Sequence, residues 1–92
     1  MIFPLKKEWY EKIKNGEKTV EYREVKDYWT TRLNSTIYFL KQGKERHCFF
    51  QFGYNPKTRL SAVISEIEIV DGMNTDLKID KKVYAIHFRL EK

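Results

Sequence analysis

The chain has 92 residues, 41% hydrophobic and 15% aromatic, which is too apolar for a disordered segment and enough for one domain, 1–92, with a modest core. Eighteen Lys and Arg against thirteen Asp and Glu give a net charge of +5, a balance that admits an anionic or nucleic-acid ligand without requiring one. The lone Cys48 excludes an internal disulfide and fits a reducing, cytoplasmic setting, and the opening MIFPL is too short and too poor in basic lead residues for a membrane span or signal.

In chain order, MIF predicts a short strand. Leu5, Trp9 and Ile13 recur at a spacing of four, which predicts a helix over Lys6 to Asn15, with Lys12 and Lys14 suiting its negative end. Gly16 ends that helix. Lys18 to Arg23 predicts a strand in which Val20 and Tyr22 face one side and Thr19, Glu21 and Arg23 the other, with core packing expected of Tyr22. A second short helix is expected over Lys26 to Leu33, broken at Asn34-Ser35. Thr36 to Leu40 (TIYFL) then predicts a buried strand, KQGKER a hairpin turn, and RHCFFQF a strand that ends at Phe52, with Cys48 a small buried side chain. GYNPKTR is a loop. Leu60 to Val70 is the longest strand pattern, and DGMNTDLKIDKK a polar connection with room for one helical turn. Val83 to Leu90 is the last strand, with Tyr84, Ile86, Phe88 and Leu90 inward and His87 and Arg89 outward. Six short strands and two helices predict an α+β domain whose sheet curls or closes into a small barrel, because a small sheet must protect its edges.

Several catalytic and phosphate-binding patterns are missing: no Walker loop, no G-x-G-x-x-G, no H-E-x-x-H, no G-x-S-x-G. One Cys and two distant His, His47 and His87, do not form a zinc pattern, so neither a metal nor a cofactor is expected. His87 reads as a partly exposed strand residue, or as an acid–base group. Glu66 and Glu68 share a strand face, which is ordinarily solvated and could otherwise hold Mg²⁺.

The stretch GEKTVEYR, Gly16 to Arg23, is the candidate site. Glu21 and Arg23 point the same way in a strand, roughly 7 Å apart at their α-carbons. Arg23 offers a planar fork for a phosphate or a base edge, Glu21 accepts from an amino group or a ribose hydroxyl, and Lys18 supplies a mobile point charge. Taken as an exposed ion pair, the same residues would be worth only about 0–1 kcal/mol.

G-E-K-T-V-E-Y-R resembles the G-x-K-x-x-E-x-R signature of the ASCH family, which is related to the PUA fold. The order of a short strand, a helix, the glycine with its motif, a strand and a short helix is also similar, through MIFPL, KKEWYEKIKN, GEKTVEYR and VKDYWTTRL. This likeness covers the first forty residues; the rest agrees only as later barrel strands. It implies a PUA-like β-barrel of five or six strands with two flanking helices. It also implies a cleft for an RNA-related or nucleotide-related ligand, lined by Lys18, Glu21 and Arg23, with Gly16 structural. Some bacterial relatives are amidohydrolases acting on acetylated cytidine, with a threonine nucleophile where this chain has Glu21; that departure argues against the same covalent chemistry here.

Near the motif, Tyr22, Tyr28, Trp29 and Tyr54 offer rings for base stacking, and Lys57 and Arg59 offer phosphate contacts. Three functions compete. The first is binding of RNA, a nucleotide or a nucleoside through Lys18, Glu21, Arg23, Tyr28, Trp29 and Arg59. The second is hydrolysis of RNA or an acylated nucleoside, with Glu21 as base and Lys18 stabilising an oxyanion. The third is a protein-interaction domain in which the motif is a structural ion-pair network.

Overall fold

A computed structural model describes residues 1–91. The chain runs β1 (Ile2–Leu5), α1 (Lys7–Lys14), β2 (Val20–Glu24), α2 (Asp27–Lys41), β3 (Arg46–Phe52), β4 (Leu60–Asp71) and β5 (Lys82–Leu90). Single 3-10 turns at Pro56–Thr58 and Gly72–Asn74 precede β4 and follow it. The five strands form one mixed sheet in the order β1-β3-β4-β5-β2. Only β1 and β3 run parallel. The architecture is therefore α+β, and among the described residues no helix is long and apolar enough to cross a membrane.

Phe3, Ile13, Leu33, Phe50, Ile64 and Ile86 have no exposed surface and join both helices to the sheet. Burying each such side chain contributes about 1.5–3 kcal/mol. Phe50 sits 5.3 Å from Phe3 and 4.4 Å from Phe88 between ring centroids, so aromatic contacts tie β1, β3 and β5 together.

Three expectations are corrected. Thr36 to Leu40 is not a strand but the last third of α2, and Asn34-Ser35 does not break the helix. Trp29, Leu33, Thr36, Ile37 and Leu40 recur at three and four, so the buried stripe runs straight through. Asn34 and Ser35 lie on the exposed side, where their weak helix propensity costs only about 0.5 kcal/mol each. The sheet also does not close into a barrel. With TIYFL helical, five strands remain, and β1 and β2 stand as unpaired edges.

The third correction concerns β2, where Tyr22 does not pack in the core. Glu21 pairs with Ile86 and Arg23 with Tyr84, both buried, and cross-strand partners share a face. The charged residues thus point inward, while Val20 and Tyr22 are half-buried on the opposite side. The expected helical turn in the polar connection is present at Gly72–Asn74. A side chain at Gly72 would put its Cβ 2.5 Å from the Lys81 carbonyl oxygen, so only glycine lets this loop lie against the start of β5.

Candidate functional site

Lys18 is placed by the end of α1. Gly16 adopts φ +78°, a left-handed conformation, and the amides of Glu17 and Lys18 both donate to the Lys12 carbonyl, at 2.9 and 3.2 Å. The backbone leaving the helix is fixed there, and the Lys18 side chain turns inward until only 8% of it is exposed. Its ammonium lies 2.5 Å from Asp76 Oδ2 and 3.5 Å from Glu21 Oε1. The rings of Trp9 and Tyr22 flank it, each with its centroid 5.1 Å from Nζ.

Glu21 is held on both oxygens. Oε1 faces Lys18 and accepts from the Tyr22 amide at 3.0 Å, while Oε2 accepts from Arg23 Nη2 at 2.9 Å. Arg23 Nη2 also donates to the Pro4 carbonyl at 3.3 Å. That bond reaches from edge β2 to edge β1, so a guanidinium bridges the seam that no strand fills. Arg23 Cζ sits 4.8 Å from the Trp29 ring and 5.4 Å from the Phe3 ring. Its Nε is buried without a hydrogen-bond partner.

A cavity of about 370 Å³ opens at this seam, at the small end of the range for ligand sites. Lys18, Glu21, Arg23 and Trp29 all line it, together with Trp9, Tyr22 and Asp76. Trp29 is 9% exposed and stacked on Phe3 at 5.6 Å; Trp9 and Tyr22 are the less buried rings. Tyr28 does not line this cavity. It lines a second one of about 360 Å³ on the other side of Trp29. Arg59 lines neither; its Nε donates to Gln51 Oε1 on the outside of β3, and Lys57 and Tyr54 are likewise exposed.

Sequence reasoning missed Trp9 and Asp76. Its spacing places Trp9 in the core stripe of α1, and Asp76 lies 58 residues from its partner Lys18, in the polar connection. No local pattern points to it. Glu66, Glu68 and His87 do converge, with candidate ligand atoms within 4.8 Å of one another, across the β4–β5 ladder and outside both cavities. His87 Nε2 is 2.9 Å from Glu68 Oε2, which accounts for the group as a surface pair. Cys48 is wholly buried, and burial pushes its thiol up to about 12, which leaves it unreactive.

No family model, no curated protein and no solved structure matches the chain. The likeness to the ASCH family therefore rests on Gly16, Lys18, Glu21 and Arg23 and on the order of the first elements.

Proposed function

We propose that this chain is a cytoplasmic, PUA-related module of the ASCH type that binds RNA or a nucleotide at the β1–β2 seam. One observation carries the reading: three ionic side chains encoded within six positions meet in one hollow that also contains two indole rings. A nucleobase needs that combination. Its edge offers donors and acceptors to Glu21 and Arg23, and its faces stack on Trp9 or Tyr22, a contact worth about 1–3 kcal/mol.

Hydrolysis of RNA or of an acylated nucleoside is the second reading, favoured by the 3.5 Å approach of Lys18 to Glu21 inside a cavity. It ranks lower because both carboxylate oxygens already accept from fixed donors. Glu21 would have to release Lys18, the Tyr22 amide or Arg23 before taking a proton.

Both tryptophans of the chain, Trp9 and Trp29, line the cavity, so intrinsic fluorescence reports on it directly. Nucleosides, nucleotides and short RNA should quench or shift that emission at low salt, and Trp9→Leu should weaken the binding by about tenfold or more. Silent titrations at millimolar ligand in low salt would discard the binding reading. Turnover of acetylated cytidine or RNA that disappears in Glu21→Gln, with binding retained, would move the hydrolase reading ahead.

A further inference from the structure

The cavity on the far side of Trp29 differs from the seam in charge. Tyr28, Arg32 and Thr36 line it from α2, and Arg46 and His47 from β3; among the described residues no carboxylate lines it, although Glu91 sits 2.9 Å from His47. Among the described residues neither arginine has a carboxylate within 4.0 Å. Both guanidiniums are nevertheless held in place. Arg32 Cζ stacks 3.4 Å from the Tyr28 ring centroid and its Nη1 donates to the Tyr28 carbonyl at 2.9 Å. Arg46 is half-buried, with Cζ 4.5 Å from the Phe39 ring. Stacking fixes each guanidinium plane while consuming few of its five N–H donors. The buried Thr36 hydroxyl adds a further polar group to the wall.

Unpaired, pre-oriented arginines in a concave site select a multi-oxygen anion, and a phosphate matches their fork. The two cavities share one lining residue, Trp29, so they adjoin at that residue. We infer that the α2 cavity is a phosphate subsite, and that the ligand of the seam is a phosphorylated nucleotide or a phosphodiester-linked strand instead of a free nucleoside. The first half stands on the α2 cavity alone. The second half rests on the function proposed above.

The test titrates four probes: inorganic phosphate, the four ribonucleosides, their 5′- and 3′-monophosphates, and a pentaribonucleotide without terminal phosphate. Calorimetry measures affinity, and NMR follows the Arg32 and Arg46 Nε–H signals and the two indole N–H signals separately. Monophosphates should bind about tenfold or more tightly than nucleosides, because charge-assisted hydrogen bonds are added. Arg32→Gln with Arg46→Gln should erase that gain and leave nucleoside affinity unchanged. Both substitutions lie on partly or fully exposed side chains, and circular dichroism checks the fold. A gain shown by monophosphates alone assigns a terminal phosphate; one shown by the pentanucleotide as well assigns a phosphodiester. Nucleosides that bind with no phosphate gain, or a gain that survives the double substitution, would overturn the inference. If inorganic phosphate moves the arginine signals while no nucleoside or nucleotide moves the indoles, the phosphate subsite stands and the seam reading falls.

Discussion

The cavities on either side of Trp29 are nearly equal, about 370 and 360 Å³, yet they treat charge in opposite ways. At the seam, Lys18 and Arg23 are answered by Glu21 and Asp76 within ion-pair distance. Beside α2, Arg32 and Arg46 are met by aromatic rings and, for Arg32, by the Tyr28 carbonyl, with no carboxylate within ion-pair distance among the described residues. The seam therefore behaves as a self-neutralised polar surface suited to a hydrogen-bonding, uncharged face of a ligand. The α2 cavity keeps its positive potential for an incoming anion. A cluster that satisfies itself contributes to the fold, whereas cations without partners contribute mainly to binding.

Stability measurements give the largest expected contrast. Glu21→Gln leaves Lys18 and Arg23 inside the protein without their shared counter-charge. It should cost roughly 3 kcal/mol, or about 15 °C in Tm for a domain of this size. Arg32→Gln and Arg46→Gln should each change stability by less than about 0.5 kcal/mol. A Glu21→Gln protein that melts like the parent would show that the seam cluster is not load-sharing with the fold, and the contrast would collapse. Loss of stability at Lys18 or Glu21 is expected whether or not the seam binds a ligand, so thermal melting alone does not separate a site from a scaffold.

How much of this the amino-acid sequence reveals depends on how local each feature is. Gly16, Lys18, Glu21 and Arg23 sit within eight residues, and their common hollow follows from one helix end and one strand. Their inward turn is what a cleft at the motif requires, although the strand pattern alone suits Tyr22 to the core; what holds it is the seam, where charged groups pair with each other and with the Pro4 carbonyl. TIYFL reads equally well as a short buried strand or as helix, and only its continuity with the Trp29–Leu33 stripe decides. Asp76 and the α2 cavity were invisible because their parts come from distant segments. Arg32 and Arg46 belong to different elements, and nothing between them in the chain announces that they share a wall.

Asp76→Asn sharpens the comparison with a smaller effect. Asp76 is 42% exposed at its side chain, so losing its pair with Lys18 should cost less than about 1 kcal/mol. The released ammonium makes the seam more like the α2 cavity. Nucleotide affinity measured by indole fluorescence should rise by about fivefold, and the rise should fade with added salt. Unchanged affinity would mean that Asp76 does not mask Lys18.

The smallest effect concerns two exposed carboxylates, Glu45 and Glu91, the second of which pairs with His47 of the α2 cavity wall. Glu45 accepts from both Arg89 terminal nitrogens at 2.6 and 2.8 Å, and that hydrogen bonding, with the charge of Arg89, holds its carboxyl below the ordinary 4.5. Glu91 is held low by its bond from Ser61 at 2.7 Å and by His47 at 2.9 Å. A folded-state value below the unfolded one means that each pair adds stability above about pH 4.5, and that this is lost as pH falls through the lowered value. Chemical denaturation in steps down from pH 6 should thus show stability declining below that point, and Glu45→Gln with Glu91→Gln should flatten the decline. Both carboxylates are exposed, so the change should be slight and weaker still in high salt. An acid decline as steep in the double variant as in the parent would show that these two pairs do not contribute to it.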